Sequence, residues 1–172
     1  RNSAVRNSNI RGNGDDGLAS WSSHAQSQPG EPVQYVSNAR HTDNIEFTHN
    51  TIELGWRAAG IGFFGGSGQK AENNLITGNF EGAGIRLNTV FGGHNFDWNL
   101  TLNKRASIQR NKIVRSGTKD DYYGKSRGAI DFQEVQVNGR VAGVDLNDNI
   151  IVRPFAEDVR SDFAFNAGEM KL

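Results

Sequence analysis

One short pattern recurs five times along this chain of 172 residues. In each copy an asparagine-like residue stands two positions before an isoleucine, and a second aliphatic residue follows a small or turn residue further on. The copies are VRNSNIRGNGDDGLASW (5–21), FTHNTIELGWRAAGIGFF (47–64), AENNLITGNFEGAGIRLN (71–88), IQRNKIVRSG with RGAIDFQ (108–117 and 127–133) and DLNDNIIVRPFAEDVRSDF (145–163). Self-similarity of this kind is the sequence signature of a solenoid, in which each repeat stacks on its neighbours.

The repeated aliphatic residues predict two inward-facing columns. The first is Ile10, Ile52, Ile76, Ile113 and Ile150, and the second is Leu18, Ile61, Ile85, Ile130 and Val159. The uninterrupted spacing, from Ile52 to Ile76, is 24 residues, which suits one turn of a β-helix. Because stacked parallel strands lie about 4.8 Å apart, equivalent residues form columns and share one core. The pattern therefore predicts an all-β protein, a right-handed parallel β-helix over residues 1–172, with almost no helix.

A polar column supports the same fold. Its predicted members are Ser8, Asn50, Asn74, Asn111 and Asp148. Stacked asparagine side chains can hydrogen-bond along such a column, and they suit a sharp corner between two short strands. A β-sandwich with coincidental asparagine turns is the alternative, but its strands would not repeat one pattern in this order.

Longer spacings between copies locate three insertions, at about 22–44, 89–103 and 116–127. The chain begins in mid-rung without a helical cap, and solenoids need capped ends. We therefore expect the chain to be the C-terminal part of a longer β-helix, continuous with rungs upstream. Residues 154–172 are expected to close the C-terminal end.

Charge and composition argue against several classes of protein. Lys+Arg and Asp+Glu are both 19, so the basic excess expected of a nucleic-acid partner is missing. There is no cysteine, which excludes disulfides and cysteine-ligated metals. No apolar run approaches the roughly 18 residues of a membrane span, so no membrane partner is predicted. No signal peptide is visible, so we expect any export signal upstream.

The strongest candidates for catalytic side chains lie in the segment GNGDDGLASWSS, residues 12–23. Asp15 and Asp16 stand in a turn where later copies have Ala58–Ala59 and Gly82–Ala83, so the repeat itself needs no acid there. Two adjacent carboxylates repel each other, and a catalytic pair, one neutral and one ionised, would explain them. A solvated Asp-Gly turn is the alternative, because that dipeptide is common in turns.

A Gly-Asp-Asp turn on a β-helix rung, followed by a strand of small residues, resembles the inverting polysaccharide hydrolases with β-helix folds. The chain looks most like the bacterial α-1,3-glucanases (mutanases) and the related mycodextranases, and less like dextranases and polygalacturonases. The resemblance covers the whole chain as a rung pattern, and its specific motif is residues 12–23. It implies a secreted, extracellular glycoside hydrolase without a cofactor, which cleaves an α-glucan, with α-1,3-glucan as the first choice of polysaccharide substrate.

The resemblance also implies three catalytic aspartates in one cleft. It carries the adjacent pair onto Asp15 and Asp16 and puts the third about one rung upstream, before Arg1. It does not assign which of the two is the acid and which the base. The Gly-His-Gly segment and the Arg-x-Lys motif of polygalacturonases are missing from this sequence, which argues against a uronic-acid polymer as substrate.

Strand alternation predicts the residues that bind the substrate. The outward positions beside the Asp pair are Ala19 and Trp21, Gly62 and Phe64, Arg86 and Asn88, and Asp131 and Gln133. Aromatic faces stack on sugar C–H groups, and polar side chains reach hydroxyls. We expect one solvent-facing groove with substrate bound by Trp21, Phe64, Arg86, Asn88 and Asp131, joined by His41 from the first insertion. Packing of Trp21 and Phe64 beneath the insertions stays open as an alternative.

Other functions stay open on the same fold. No metal site is predicted, although a structural Ca²⁺ is compatible with the many Asp and Asn oxygens. A pectin-active polygalacturonase or Ca²⁺-dependent lyase is one alternative. A non-catalytic adhesin or carbohydrate-binding solenoid is another, with Asp15 and Asp16 as ordinary turn residues. The second acidic pair, Asp120–Asp121, interrupts a rung inside a polar insertion, and we interpret it as a solvated turn.

Overall fold

The computed structural model describes residues 2–22, 25–26, 34–35, 42–88, 105–120, 124–133, 141, 143–165 and 170–171. The described residues form three parallel sheets and no helix. Sheet 1 comprises Ser3–Arg6, Ile45–Thr48, Lys70–Glu72, Ala106–Gln109, Val144–Asn147 and Met170–Lys171. Sheet 2 comprises Asn9–Arg11, Thr51–Glu53, Leu75–Thr77, Lys112–Val114 and Ile150–Val152. Sheet 3 comprises Leu18–Trp21, Ala59–Phe64, Ala83–Asn88, Gly128–Gln133 and Glu157–Ser161. Two short antiparallel hairpins pair Ala25–Gln26 with Gln34–Tyr35, and Lys119–Asp120 with Lys125–Ser126.

The predicted parallel β-helix is confirmed. Each rung gives one strand to each sheet in turn, and strands from successive rungs pair in parallel. Ile52 pairs with Ile76 on the adjacent rung, and both side chains are buried in the core. The strands of sheet 3 add a further inward column of large side chains to the core. Its members are Phe63, Leu87 and Phe132.

The register of the aliphatic columns is confirmed except at one position, and Val159, the last residue of its column, is 40% exposed and not part of the buried core. Leu18, Ile61, Ile85, Ile130 and Val159 stand opposite one another along sheet 3. In sheet 2 the partner of Ile113 is Ile151, whereas Ile150 pairs with Lys112 and is 58% exposed. The prediction of Ile150 as the fifth inward residue was therefore wrong by one position.

The asparagine column shows why the register differs there. Asn74 Oδ1 accepts hydrogen bonds from Asn50 N and Nδ2 at 2.9 and 3.1 Å. The same pair of bonds joins Asn74 to Asn111 and Asn111 to Asn149, so the last member is Asn149 and the prediction of Asp148 was wrong. The Nδ2 of Asn149 also donates to Ile108 O at 2.7 Å, which a carboxylate could not do.

Asp148 occupies the preceding position of the corner. Its φ of 55° places it in the left-handed region, like the residue before each of the other asparagines of the column. These residues are His49, Asn73 and Arg110, with φ values of 57°, 56° and 53°. The left-handed residue turns the chain from sheet 1 to sheet 2, and the asparagine that follows ties the corner to the next rung.

The insertions leave the β-helix after sheet 3 or before it. The predicted insertion 89–103 lies outside the described residues, and most of 22–44 does too. The insertion 116–127 carries the second hairpin. Glu157–Ser161 and Met170–Lys171 extend sheets 3 and 1, while a capping role for 154–172 and further rungs upstream stay predictions. In the part of the chain that is described, no helix is long and apolar enough to cross a membrane.

Candidate active site

The outward face of sheet 3 carries the residues predicted to bind substrate. Ile85 and Leu87 point into the core, so Arg86 and Asn88 lie on the opposite face. Along the sheet, Arg86 stands between Gly62 and Asp131, in line with Ala19. In the second line, Trp21, Phe64, Asn88 and Gln133 stand opposite one another. The predicted register of this face is confirmed.

The predicted exposure of this face is wrong for most of its residues. Trp21 is 45% exposed, but Phe64 is only 2% exposed. Arg86 is 6% exposed and Asn88 1%, and the Asp131 side chain is fully buried. Strand alternation gives the direction of a side chain, but it does not say what covers the face. His41, the remaining predicted binding residue, lies outside the described residues.

Trp21 and Phe64 form a stacked pair at the first two rungs. Their ring centroids lie 4.2 Å apart with an angle of 30° between the planes. Phe64 is the buried partner and Trp21 the exposed one, so of the two rings only that of Trp21 is in substantial contact with solvent. Packing therefore explains Phe64, while Trp21 keeps the geometry of a sugar-stacking residue.

The two adjacent aspartates have different surroundings. Asp15 is exposed, and its Oδ1 accepts a hydrogen bond from Asp16 N at 2.9 Å. Asp16 is half-buried, and its Oδ1 accepts a hydrogen bond from Ala59 N, on the next rung, at 2.8 Å. The Asp15 carboxyl therefore faces solvent, whereas the Asp16 carboxyl lies at the edge of sheet 3.

Burial raises the pKa of the Asp16 carboxyl from its usual 3.8 to about 6. The positive charge of Arg86 lowers this pKa, the nearby Asp15 raises it, and the hydrogen bond from Ala59 N lowers it. Loss of hydration outweighs the attraction of Arg86, so the proton leaves only as the pH approaches neutrality. A carboxyl of this kind can serve as a general acid.

Asp16 completes a line of alternating charges on the outward face of sheet 3. Its carboxyl lies against Gly62, so that a Cβ built on that glycine would be 3.2 Å from Asp16 Oδ1. The next positions along the sheet are Arg86, Asp131 and Arg160. We call these four side chains, Asp16, Arg86, Asp131 and Arg160, the charged column.

Asp131 is the most enclosed member of the charged column. Its Oδ1 accepts hydrogen bonds from Gly128 N at 3.2 Å and Arg160 Nη1 at 3.3 Å. Its Oδ2 accepts from Gln133 Nε2 at 2.6 Å and from Arg127 Nη1 at 3.4 Å. Burial of Arg160 lowers its pKa, but hydrogen bonds and attraction from Asp162 and Asp131 outweigh this, and the pKa is raised. With both oxygens surrounded by protein donors, Asp131 is built to hold neighbouring side chains.

A chain of amides leads from Asp131 towards the aromatic pair. Because a carboxylate only accepts, Gln133 presents its NH₂ group to Asp131 and its oxygen to Asn88. Asn88 Nδ2 donates to Gln133 Oε1 at 3.0 Å, which fixes the orientation of the Asn88 amide. Within the described structure, Asn88 Oδ1 is buried and accepts no hydrogen bond. Leaving this buried oxygen unsatisfied costs about 1–3 kcal/mol.

Two exposed aromatic residues near the aspartates were missed by the sequence analysis. Trp56 is 67% exposed and Phe80 52%, and their ring centroids lie 6.5 Å apart. Trp56 N donates to Asn13 O at 2.8 Å, which places Trp56 one rung from the turn that carries Asp15. Each aromatic stands four positions after an inward isoleucine of the first column, so the repeat itself contained the signal.

No group of three or more His, Cys, Asp or Glu side chains that could hold a metal ion occurs among the described residues. A structural Ca²⁺ held by other oxygen ligands is still compatible with the sequence, although no metal site was predicted.

Fold and site together define a parallel β-helix with an acidic pair of unequal surroundings at the edge of a polar sheet face. The chain is similar to a solved structure, the crystal structure of the Agl-KA catalytic domain. The identity is 40%, the TM-score is 0.76, and the match covers 92% of this chain and 25% of that chain. The chain thus spans about a quarter of the length of that relative. No family model and no curated protein matches it.

Proposed function

We propose that this chain is part of the catalytic β-helix of a secreted glycoside hydrolase that cleaves an α-glucan, with α-1,3-glucan as the first choice. The observation that carries the proposal is the contrast within the acidic pair, because Asp16 is half-buried with a pKa of about 6 and Asp15 is exposed. The likeness to the Agl-KA catalytic domain supports an enzyme of the β-helix glucanase type.

In this proposal Asp16 is the general acid. It gives its proton to the glycosidic oxygen as the bond from that oxygen to C1 breaks, and a water attacks C1 from the opposite face of the sugar. A carboxylate base takes the proton of that water. Inverting enzymes hold acid and base about 6.5–9.5 Å apart to admit the water. Asp15, which faces solvent, contributes to the base together with the carboxylate that the family resemblance places upstream.

Substrate binding follows from the remaining side chains of the face. Trp21 would stack on a sugar ring. Arg86, Asn88 and Asp131 would act mainly by fixing the position and charge of their neighbours, since all three are buried. The exposed pair Trp56 and Phe80 would hold a further sugar unit beside Asp15. No cofactor takes part.

The proposal is tested by incubating the full-length protein with α-1,3-, α-1,4- and α-1,6-linked glucans and with polygalacturonate. Release of reducing sugar from an α-glucan is the expected result. Binding to a glucan without any release would favour the non-catalytic carbohydrate-binding solenoid, for which the exposed aromatic residues would suffice. Release from polygalacturonate alone would support the pectin-active alternative.

The raised pKa of Asp16 predicts how stability depends on pH. The stabilisation that comes from protonating Asp16 is fully present below about pH 3.8 and is lost as the pH rises through about 6. Asp16→Asn removes this loss and keeps an acceptor for Ala59 N. We expect the variant to gain between about 1 and 3 kcal/mol of stability relative to wild type from pH 4 to pH 7. Urea unfolding at both pH values measures this, and a gain that does not grow with pH would contradict the assignment.

The exposed ring of Trp56 predicts an effect on substrate affinity. Stacking of an aromatic ring is worth about 0.5–1.5 kcal/mol beyond the buried area. Trp56→Ala should therefore raise KM for a soluble glucan about 3- to 10-fold, with little effect on melting temperature. Phe155→Ala is the matched control, because Phe155 is exposed at the same turn three rungs away. Equal KM changes in both variants would remove Trp56 from the binding surface.

A further inference from the structure

Gly62 breaks the outward column of sheet 3 at the position next to Asp16. Each of the four remaining rungs has a side chain at this position. These residues are Ala19, Arg86, Asp131 and Arg160. Glycine inside a strand weakens it and often marks a place where another group approaches closely. The backbone of Gly62 is not in the left-handed region, so its conformation does not require glycine.

The space above Gly62 is occupied by a side chain from the preceding rung. A Cβ at this position would lie 3.2 Å from both Cγ and Oδ1 of Asp16, and 2.7 Å from Cε2 of Phe64. Asp16 Oδ1 is also the acceptor of the hydrogen bond from Ala59 N. The missing side chain therefore lets the carboxyl lie directly on the sheet, in line with Arg86.

We propose that Gly62 is a positioning residue, whose missing side chain forms the seat that holds the Asp16 carboxyl on sheet 3 between Ala59 N and Arg86. The inference rests on the proposed function, since it concerns the group assigned as the acid. Three groups act on the seated carboxyl: the Arg86 guanidinium, the Asp15 carboxylate and the Ala59 N–H. A methyl group at position 62 would crowd the carboxyl at 3.2 Å, so the carboxyl has to shift by a few tenths of an ångström towards water.

Gly62→Ala in the full-length protein tests the seat, with Gly14→Ala as the control. Gly14 lies two residues before Asp16, but a Cβ there would meet no atom within 4 Å, and its φ is not left-handed. A misplacement of about 1 Å can cost up to about 10²-fold in rate, and the shift here is a few tenths of an ångström, so we expect kcat of Gly62→Ala to fall about 3- to 10-fold with a smaller change in KM. Because burial is the largest cause of its raised pKa, the Asp16 carboxyl should titrate at lower pH in this variant. The alkaline limb of the kcat profile should move with it.

Titration of the Asp16 carboxyl by ¹³C NMR gives a readout that needs no activity. An unchanged Asp16 titration in folded Gly62→Ala would overturn the seat, whatever the enzyme does. An altered titration in a protein without glucanase activity would keep the seat and reject the proposed function. Gly62→Ala combined with Phe64→Leu relieves the 2.7 Å contact with the ring, and it serves if the single variant does not fold. The pKa of Asp16 should still be lower in the double variant than in Phe64→Leu alone. If it were the same as in the wild type, the effect of Gly62→Ala would come from displacement of the Phe64 ring and not from the seat.

Discussion

Asp16→Asn is expected to lower turnover on an α-glucan by about 10²-fold or more, because positioned acid–base catalysis is worth about 10²–10⁴. Asn cannot give a proton to the leaving oxygen, although it keeps the hydrogen bond from Ala59 N. Asp15→Asn is expected to cost a comparable factor by removing a charge that activates water. Initial rates of reducing-sugar release at several pH values measure both effects.

Asp120→Asn is the control for this pair. Asp120 belongs to the second Asp-Asp pair of the sequence, in the hairpin of the insertion 116–127. We expect its replacement by Asn to leave turnover unchanged. Melting temperatures should be measured on the same preparations, so that loss of activity is separated from loss of fold. Full activity in both Asp15→Asn and Asp16→Asn would reject the hydrolase mechanism and favour the carbohydrate-binding solenoid.

Asn74→Ala is expected to cause a large loss of stability, because it removes a central member of the asparagine column. Asn74 Oδ1 accepts from Asn50 N and Nδ2, and Asn74 Nδ2 donates to Phe47 O at 2.8 Å and Asn111 Oδ1 at 2.9 Å. Alanine leaves several of these buried groups without a partner, at about 1–3 kcal/mol for each. We expect a loss of about 3–5 kcal/mol in the free energy of unfolding, measured by urea denaturation.

Asn9→Ala provides the comparison for that loss. Asn9 is an exposed asparagine in the first strand of sheet 2, so its replacement should change the unfolding free energy by less than about 0.5 kcal/mol. If Asn74→Ala destabilised the protein no more than Asn9→Ala does, the asparagine column would not be what ties the rungs together.

The rungs could be predicted because the same types of residue recur at equivalent positions in each copy of the repeat. A parallel β-helix needs the same kind of side chain at the same position of each rung. The recurrence of isoleucine at positions 52, 76 and 113 therefore predicts that these residues share one column. The error in the fifth rung arose where the sequence NDNII fits the pattern twice. Only the donor requirement of the corner, which Asn149 meets and Asp148 does not, separates the two registers.

The site could be predicted only in part, because its key contacts cross between rungs. Strand alternation put Arg86 and Asn88 on the correct face, but it could not show that they are buried. The contact of Asp16 with Gly62 joins residues of different copies, and nothing in either copy alone indicates it. The role of Asp131 likewise depends on Arg160, which belongs to the next copy, and on Arg127.

The anomeric configuration of the first product tests the central claim most directly. The full-length protein is mixed with an α-1,3-glucan oligosaccharide in D₂O, and ¹H NMR follows the new reducing end before mutarotation. An inverting hydrolase acting through water at C1 yields the β-anomer first, with the α-anomer growing later by mutarotation. We expect this order for the wild type and no new anomeric signal for Asp16→Asn. Appearance of the α-anomer first, or a wild-type signal from Asp16→Asn, would contradict inverting catalysis with Asp16 as the acid.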